Sequence, residues 1–403
     1  MISALFVWKI LIIPVVVVRT ILQFYTKGTI FSRTNVEFAD SLWKNIVISV
    51  EQQFVSSYTK GDLTFFVNKK FPEILDYYKA GHIALGHNLR KYGERFTSES
   101  YWFVRSEYED NESAKEHVLM YFHGGGYAVS MFDSHLLGIL ALYESLPKEI
   151  QQKLSILIVD YSLTVDGYRY PTQIIEALDA YCALIEDGVK NVSFIGDSAG
   201  ANLALALSRV LAYPDEALSH LSKFSLLDLK FSHLPQPKLN ILISPWVEPT
   251  FQPKLPSKYD AIDVKGDLCS TKTTLGDWYV EKIYIDDAHE WINFTQTSFH
   301  EHWNKVDSIR EKNKTLVLCG EREILREGIE DWLDLVDGNR ENICFVLEKG
   351  GIHDCLFCVE SLDFLSKDGM KRALAGKTET KFCFNEVREF LISGLSDRSI
   401  SEV

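Results

Sequence analysis

The chain has 403 residues, 46% of them hydrophobic and 24% charged, an ordinary globular composition. A chain this long can bury a large core without a disulfide or a metal. Its formal net charge of −14 excludes the basic surface that nucleic-acid binding requires. Seven cysteines are scattered along it. None has zinc-ligand company, and the C-x-x-C of Cys355 and Cys358 lies outside any redox-type βαβ start, so they read as buried thiols.

Residues 2–25 form an apolar run interrupted only by Lys9 and Arg19. A membrane span needs about 20 mostly apolar residues, and Pro14 is tolerated better in a membrane helix than in a soluble one. The segment 1–27 is therefore expected to be an uncleaved membrane anchor. Within 35–60, Trp43, Ile46, Val47, Val50, Phe54 and Val55 recur at helical spacing. Residues 71–92 are helical in pattern but broken by two glycines, so 28–97 reads as a helical cap or linker region.

From residue 98 the pattern changes. Short apolar runs at 117–124, 154–162, 191–198, 239–245, 314–321 and 343–351 read as strands, most of them separated by helical stretches. That alternation predicts an α/β domain over 98–394, with a mostly parallel central sheet and helices on both faces. Two stretches, 213–237 and 250–300, interrupt it and read as surface coverings or lids. Residues 395–403 form a loose polar tail.

The chemistry lies at the ends of these strands. Gly196-Asp197-Ser198-Ala199-Gly200 follows an apolar strand and precedes a strong helix pattern. This is the context that makes G-x-S-x-G a nucleophile turn, with Ser198 as nucleophile. His123-Gly124-Gly125-Gly126 follows the strand at 117–122. Bare backbone there can offer N–H groups to an oxyanion: Gly124 and Gly125, joined by Ala199, with His123 as an anchor of the loop. A serine nucleophile needs a base and an orienting acid, in the chain order serine, acid, histidine. His353 follows an apolar strand and two glycines, a context that His220, His233, His289, His300 and His302 lack. The acid is expected after the strand at 314–320, at Glu323, with Glu321 as its rival.

These motifs, with LISPWV at 242–247, resemble the hormone-sensitive-lipase-like branch of the α/β-hydrolases. Within it, VDYSLT at 159–164 and YPTQIIEAL at 170–178 are similar to fungal steryl acetyl hydrolases. The resemblance implies a membrane-anchored enzyme of the endoplasmic reticulum that removes acetyl groups from sterol acetates. By position it implies Ser198 as nucleophile, His123-Gly124-Gly125 as oxyanion segment, Glu323 as acid and His353 as base. No metal or cofactor is implied, and the partners are a hydrophobic ester and the membrane. The sequence departs from the branch in two places: Glu323 stands where many members carry aspartate, and Ser162-Leu163-Thr164 follow the D-Y pair. A broad lipid or xenobiotic carboxylesterase would use the same machinery, and a ligand-binding member that had lost catalysis would be expected to lack the base. Flanking basic residues Arg19, Lys27 and Arg33 favour a cytosolic domain by the positive-inside rule. The resemblance, with N-x-S/T sequons at Asn111, Asn191, Asn293 and Asn313, favours a lumenal one.

Overall fold

The structure is a computed structural model that describes the chain apart from residues 1, 56–57, 67–69, 82, 109–115, 225–230, 232, 254–263, 281–289, 296–300 and 397–403. Asn111, much of the 250–300 excursion and nearly all of the expected tail lie outside the described residues.

Eight strands form one sheet in the order β1-β2-β4-β3-β5-β6-β7-β8. The expected strands are all present: β3 (His117–Phe122), β4 (Leu154–Val159), β5 (Asn191–Asp197), β6 (Asn240–Ile243), β7 (Thr315–Gly320) and β8 (Ile343–Glu348). They pair in parallel from β4 through β3 and β5 to β8. Two further strands, β1 (Arg95–Thr97) and β2 (Ser100–Val104), were not foreseen; they extend the sheet beyond β4 by antiparallel pairs and leave β1 at the edge.

The strands are apolar on both faces because both are covered. Val118, Met120 and Phe122 of β3 point into one core, and Leu119 and Tyr121 into the other, the period-2 alternation of a pleated strand. The first core is closed by the helices Thr172–Glu186 and Ala199–Ala212. The second is closed by Asp133–Ser145 and Phe382–Leu395.

The N-terminal region is built differently. Helix α1 (Ala4–Thr26) is 23 residues long, about 34 Å at 1.5 Å per residue. It lies along α2 (Leu42–Glu51). Phe6, Lys9, Ile13, Val16 and Thr20 form a covered stripe, while Leu5, Trp8, Leu11, Val15, Val18, Leu22 and Tyr25 form an exposed one. At its start, Phe6 packs on Phe54 and Phe65, and the Ser3 hydroxyl donates to Asp62 over 2.8 Å. The helical pattern of 35–60 does not run as one helix. It is a single turn at Val36–Ala39, then α2, then α3 (Lys60–Phe66). Asn35 and Ser41 interrupt it by capping the first turn and α2 with their side chains. Helix α4 (Phe71–Ala80) ends at Gly81, as the glycine spacing predicts.

Candidate active site

The parallel strands carry their loops to one edge of the sheet, the crevice where open α/β sheets bind ligands. Strand β5 runs straight into Ser198, which sits at φ +50°, ψ −113°, and α5 (Ala199–Ala212) starts at the next residue. A serine in that conformation is strained, at a cost of about 1–3 kcal/mol. Hydrogen bonds on both sides hold it: its N–H donates to the Ile243 carbonyl over 2.8 Å, and its carbonyl accepts from Trp246 N–H over 3.0 Å. Any Cβ on Gly200 would run into the carbonyl of Phe122 on β3, so glycine there lets the helix seat against the sheet. Gly196 and Gly200 thus flank the turn as expected.

After β3, His123 is buried and stacked on Tyr161 at 4.2 Å. Its Nδ1 lies 2.7 Å from the Gly124 carbonyl, and burial pushes its pKa down to about 4. It is neutral and locked into the loop, the anchor foreseen from the sequence. A Cβ on Gly124 would strike the Asp197 carboxylate, and Gly125 and Gly126 both have positive φ. Among the described residues, no hydrogen bond uses the N–H groups of Gly124, Gly125 or Ala199. They are open to a negatively charged oxygen.

His353 follows β8. Its Nε2 lies 2.9 Å from Ser198 Oγ, and its Nδ1 faces Glu323 Oε2 at 3.8 Å without a hydrogen bond. Glu323 is 1% exposed. Its Oε1 accepts from Gly320 N–H over 3.0 Å and from the Ser244 hydroxyl, and its Oε2 lies 3.5 Å from Cys319 Sγ. Glu321 points elsewhere: its Oε2 accepts from Gly350 N–H over 2.8 Å. Burial works against the His353 imidazolium, but the facing Cys269 thiol and Glu323 carboxylate outweigh it and raise the pKa above the imidazole range.

Two further residues hold these loops, and sequence reasoning did not single them out. Ser244 donates to Glu323 while its oxygen accepts from Asp354 N–H over 2.9 Å, tying the acid loop to the base loop. Asp267, 4% exposed, accepts from His353 N–H over 2.7 Å and from Ile324 N–H over 2.8 Å. Burial pushes its pKa up to about 6, with His353 opposing the rise and Glu323 adding to it. Ser244 lies inside the LISPWV motif. Asp267 follows Gly266 in an irregular stretch and has no local signature.

These groups open on a cavity of about 650 Å³. Its floor is Gly124–Gly126, Ser198 and His353, and its roof is Trp43, Val47, Phe54, Val55 and Leu63 from the N-terminal helices. Among the described sequons, Asn313 is exposed, Asn191 is part-buried at the start of β5, and Asn293 is fully buried and donates to Thr250 Oγ1 over 2.7 Å.

A strained serine between a parallel strand and a helix, beside open backbone donors, is the architecture of an α/β-hydrolase, and the chain is a carboxylic ester hydrolase of that class. Residues 4–355 match the steryl acetyl hydrolase family, and the chain belongs to it. It is 29% identical over 376 residues to the mug81 protein of Schizosaccharomyces pombe, covering 90% of this chain and 92% of that one. It is 30% identical over 139 residues to steryl acetyl hydrolase 1 of Saccharomyces cerevisiae, covering 33% and 27% of the two chains. The backbone also aligns with an esterase/lipase from an uncultured bacterium, with a TM-score of 0.47 and 18% identity over 73% and 81% of the chains.

Proposed function

We propose that the protein hydrolyses acetyl esters of sterols through a Ser198-His353-Glu323 triad. The observation that carries this reading is the 2.9 Å contact between Ser198 Oγ and His353 Nε2 at the floor of a largely apolar cavity. With Nδ1 turned to a carboxylate, Nε2 is the proton acceptor. Ser198 Oγ attacks the acetyl carbonyl carbon as its proton passes to His353. The carbonyl oxygen becomes an oxyanion facing the N–H groups of Gly124, Gly125 and Ala199. His353 then returns the proton to the departing alcohol. Water enters, gives a proton to His353 and attacks the acetyl-serine carbonyl, and acetate leaves as Ser198 regains its proton. Glu323 keeps the imidazole in the required tautomer, and no step draws on a cofactor.

The second part of the reading is a membrane-anchored enzyme of the endoplasmic reticulum with its catalytic domain in the lumen, and helix α1 supports the anchor. Its apolar stripe is exposed, and only 17% of its most apolar window is buried, unlike a core helix.

Labelling with a fluorophosphonate probe, followed by assay on sterol acetates, tests the chemistry. The parent should label and deacetylate, and Ser198→Ala should do neither. Labelling without sterol acetate hydrolysis, but with hydrolysis of unrelated esters, would replace the substrate by a broader one. Release from membranes by alkaline carbonate would refute the anchor.

A further inference from the structure

The cavity is not apolar throughout. Helix α2 faces it with Trp43, Val47 and Glu51, spaced i, i+4, i+8 on one face. Two of the three are the apolar side chains a lipid-like ligand calls for, and the third is a carboxylate. Glu51 is part-buried, yet among the described residues its carboxylate has no hydrogen bond or ion pair. Other carboxylates on this wall are provided with donors. Asp197 receives the Tyr121 hydroxyl over 2.6 Å, Asp354 faces the Cys358 thiol at 3.0 Å, and Asp133 receives the Tyr78 hydroxyl over 3.0 Å. Part-buried beside the cavity, the Glu51 carboxylate is left to find its donor in whatever the cavity holds. Burial pushes its pKa up to about 7.

The group beside Glu51 is not arranged for a metal ion. His135 Nε2, Asp354 and Cys358 lie within 4.8 Å of one another. However, His135 Nδ1 accepts from Phe132 N–H over 3.2 Å, which leaves the proton of the neutral ring on Nε2. That nitrogen is then a donor, directed at Asp197 and Asp354 at 3.6 and 4.0 Å, and it has no lone pair for a cation. Asp133, His135, Asp197, Asp354 and Cys358 line the cavity too, but each is engaged within the wall, whereas among the described residues the Glu51 carboxylate is not.

We propose that Glu51, backed by His135, is a polar subsite of the substrate cavity that binds a hydrogen-bond donor on the ligand, a hydroxyl or an ammonium, remote from the reacting ester. The inference rests on the esterase reading of Ser198. It makes the preferred substrate an acetate whose apolar body ends in a polar group. A hydroxyl is bound by Glu51 in either protonation state, whereas an ammonium requires the carboxylate and restores the missing countercharge.

The test uses alkyl acetates of graded chain length ending in a methyl, hydroxyl or ammonium group. With the full chain, kcat/KM at the fitting length should favour a polar end over methyl by about tenfold, the gain from one hydrogen bond to a charged or ionisable group. Glu51→Leu should erase that preference. Glu51→Gln should keep it for hydroxyl and lose it for ammonium. Affinities of the same esters for Ser198→Ala should show the same order, which reads the subsite without the chemistry. A preference for polar ends in binding with no hydrolysis by the parent would overturn the esterase reading and keep the subsite. Hydrolysis without that preference at any length, or a preference that survives in Glu51→Leu, would overturn the subsite.

Discussion

The cavity has two walls of opposite construction. The floor is made of loops leaving β3, β5, β7 and β8, each pinned by the sheet register. The roof is made of short helices before residue 93 that touch the sheet domain through side chains. On the floor, loops are tied by partners far away in sequence: Glu323 by Ser244, and the backbone N–H groups of His353 and Ile324 by Asp267. On the roof, Trp43, Val47, Phe54 and Val55 offer apolar area, and among the described residues the Glu51 carboxylate has no partner. The contrast assigns different work to the two walls. Reacting groups must be held to within a fraction of an ångström, while a surface that accepts a ligand body needs shape and a few orienting groups.

The sharpest way to break this division is at the nucleophile. Ser198→Ala should lower kcat by about 10⁴–10⁶-fold with an unchanged circular-dichroism spectrum, and activity within tenfold of the parent would remove Ser198 from the chemistry. Glu323→Gln should lower kcat by about 10²–10⁴-fold, and Glu321→Gln by less than about tenfold. The reverse ranking would pass the role to Glu321. Asp267→Asn replaces one of two acceptor oxygens by an NH2 group that cannot accept, so kcat should fall by about 10–10²-fold with KM changing little. A KM effect alone would place Asp267 with the roof.

The acid limb of the pH profile follows from His353. Its imidazole must be unprotonated to take the serine proton, and a raised pKa keeps it protonated to higher pH. kcat/KM should therefore climb with pH through a midpoint above the usual imidazole value near 6.5. Glu323→Gln removes a carboxylate that favours the imidazolium, so its residual activity should show that midpoint at lower pH. A midpoint unmoved by Glu323→Gln would mean that Cys269 and the rest of the site, not Glu323, set the charge on His353. The smallest effect belongs to the roof: Phe54→Ala should raise KM for long-chain acetates by about tenfold or less and leave acetates of short alcohols near the parent.

Much of this was legible from residue order. The six core strands, the turn at Ser198, the glycine loop and the loop that carries His353 each announce themselves within a few residues. Their causes are local: a buried parallel strand must be apolar, and a sharp strand-to-helix turn must be flanked by residues without side chains. Residue order also favoured Glu323 over Glu321 as the acid, a choice that the two glutamine variants decide; Glu321 itself turns to the Gly350 backbone. What residue order did not contain is equally specific. The break of 35–60 into three pieces, the antiparallel edge of β1 and β2, and the clamp of Asp267 had no periodicity or motif to mark them. Asp267 lies 86 residues from His353 and 57 from Ile324 along the chain, and Glu51 and His135 come to line one cavity from separate helices. Such contacts depend on where separate elements come to rest. That is decided by the burial of their apolar faces against one another, and an isolated aspartate or glutamate carries no trace of it in its own neighbours.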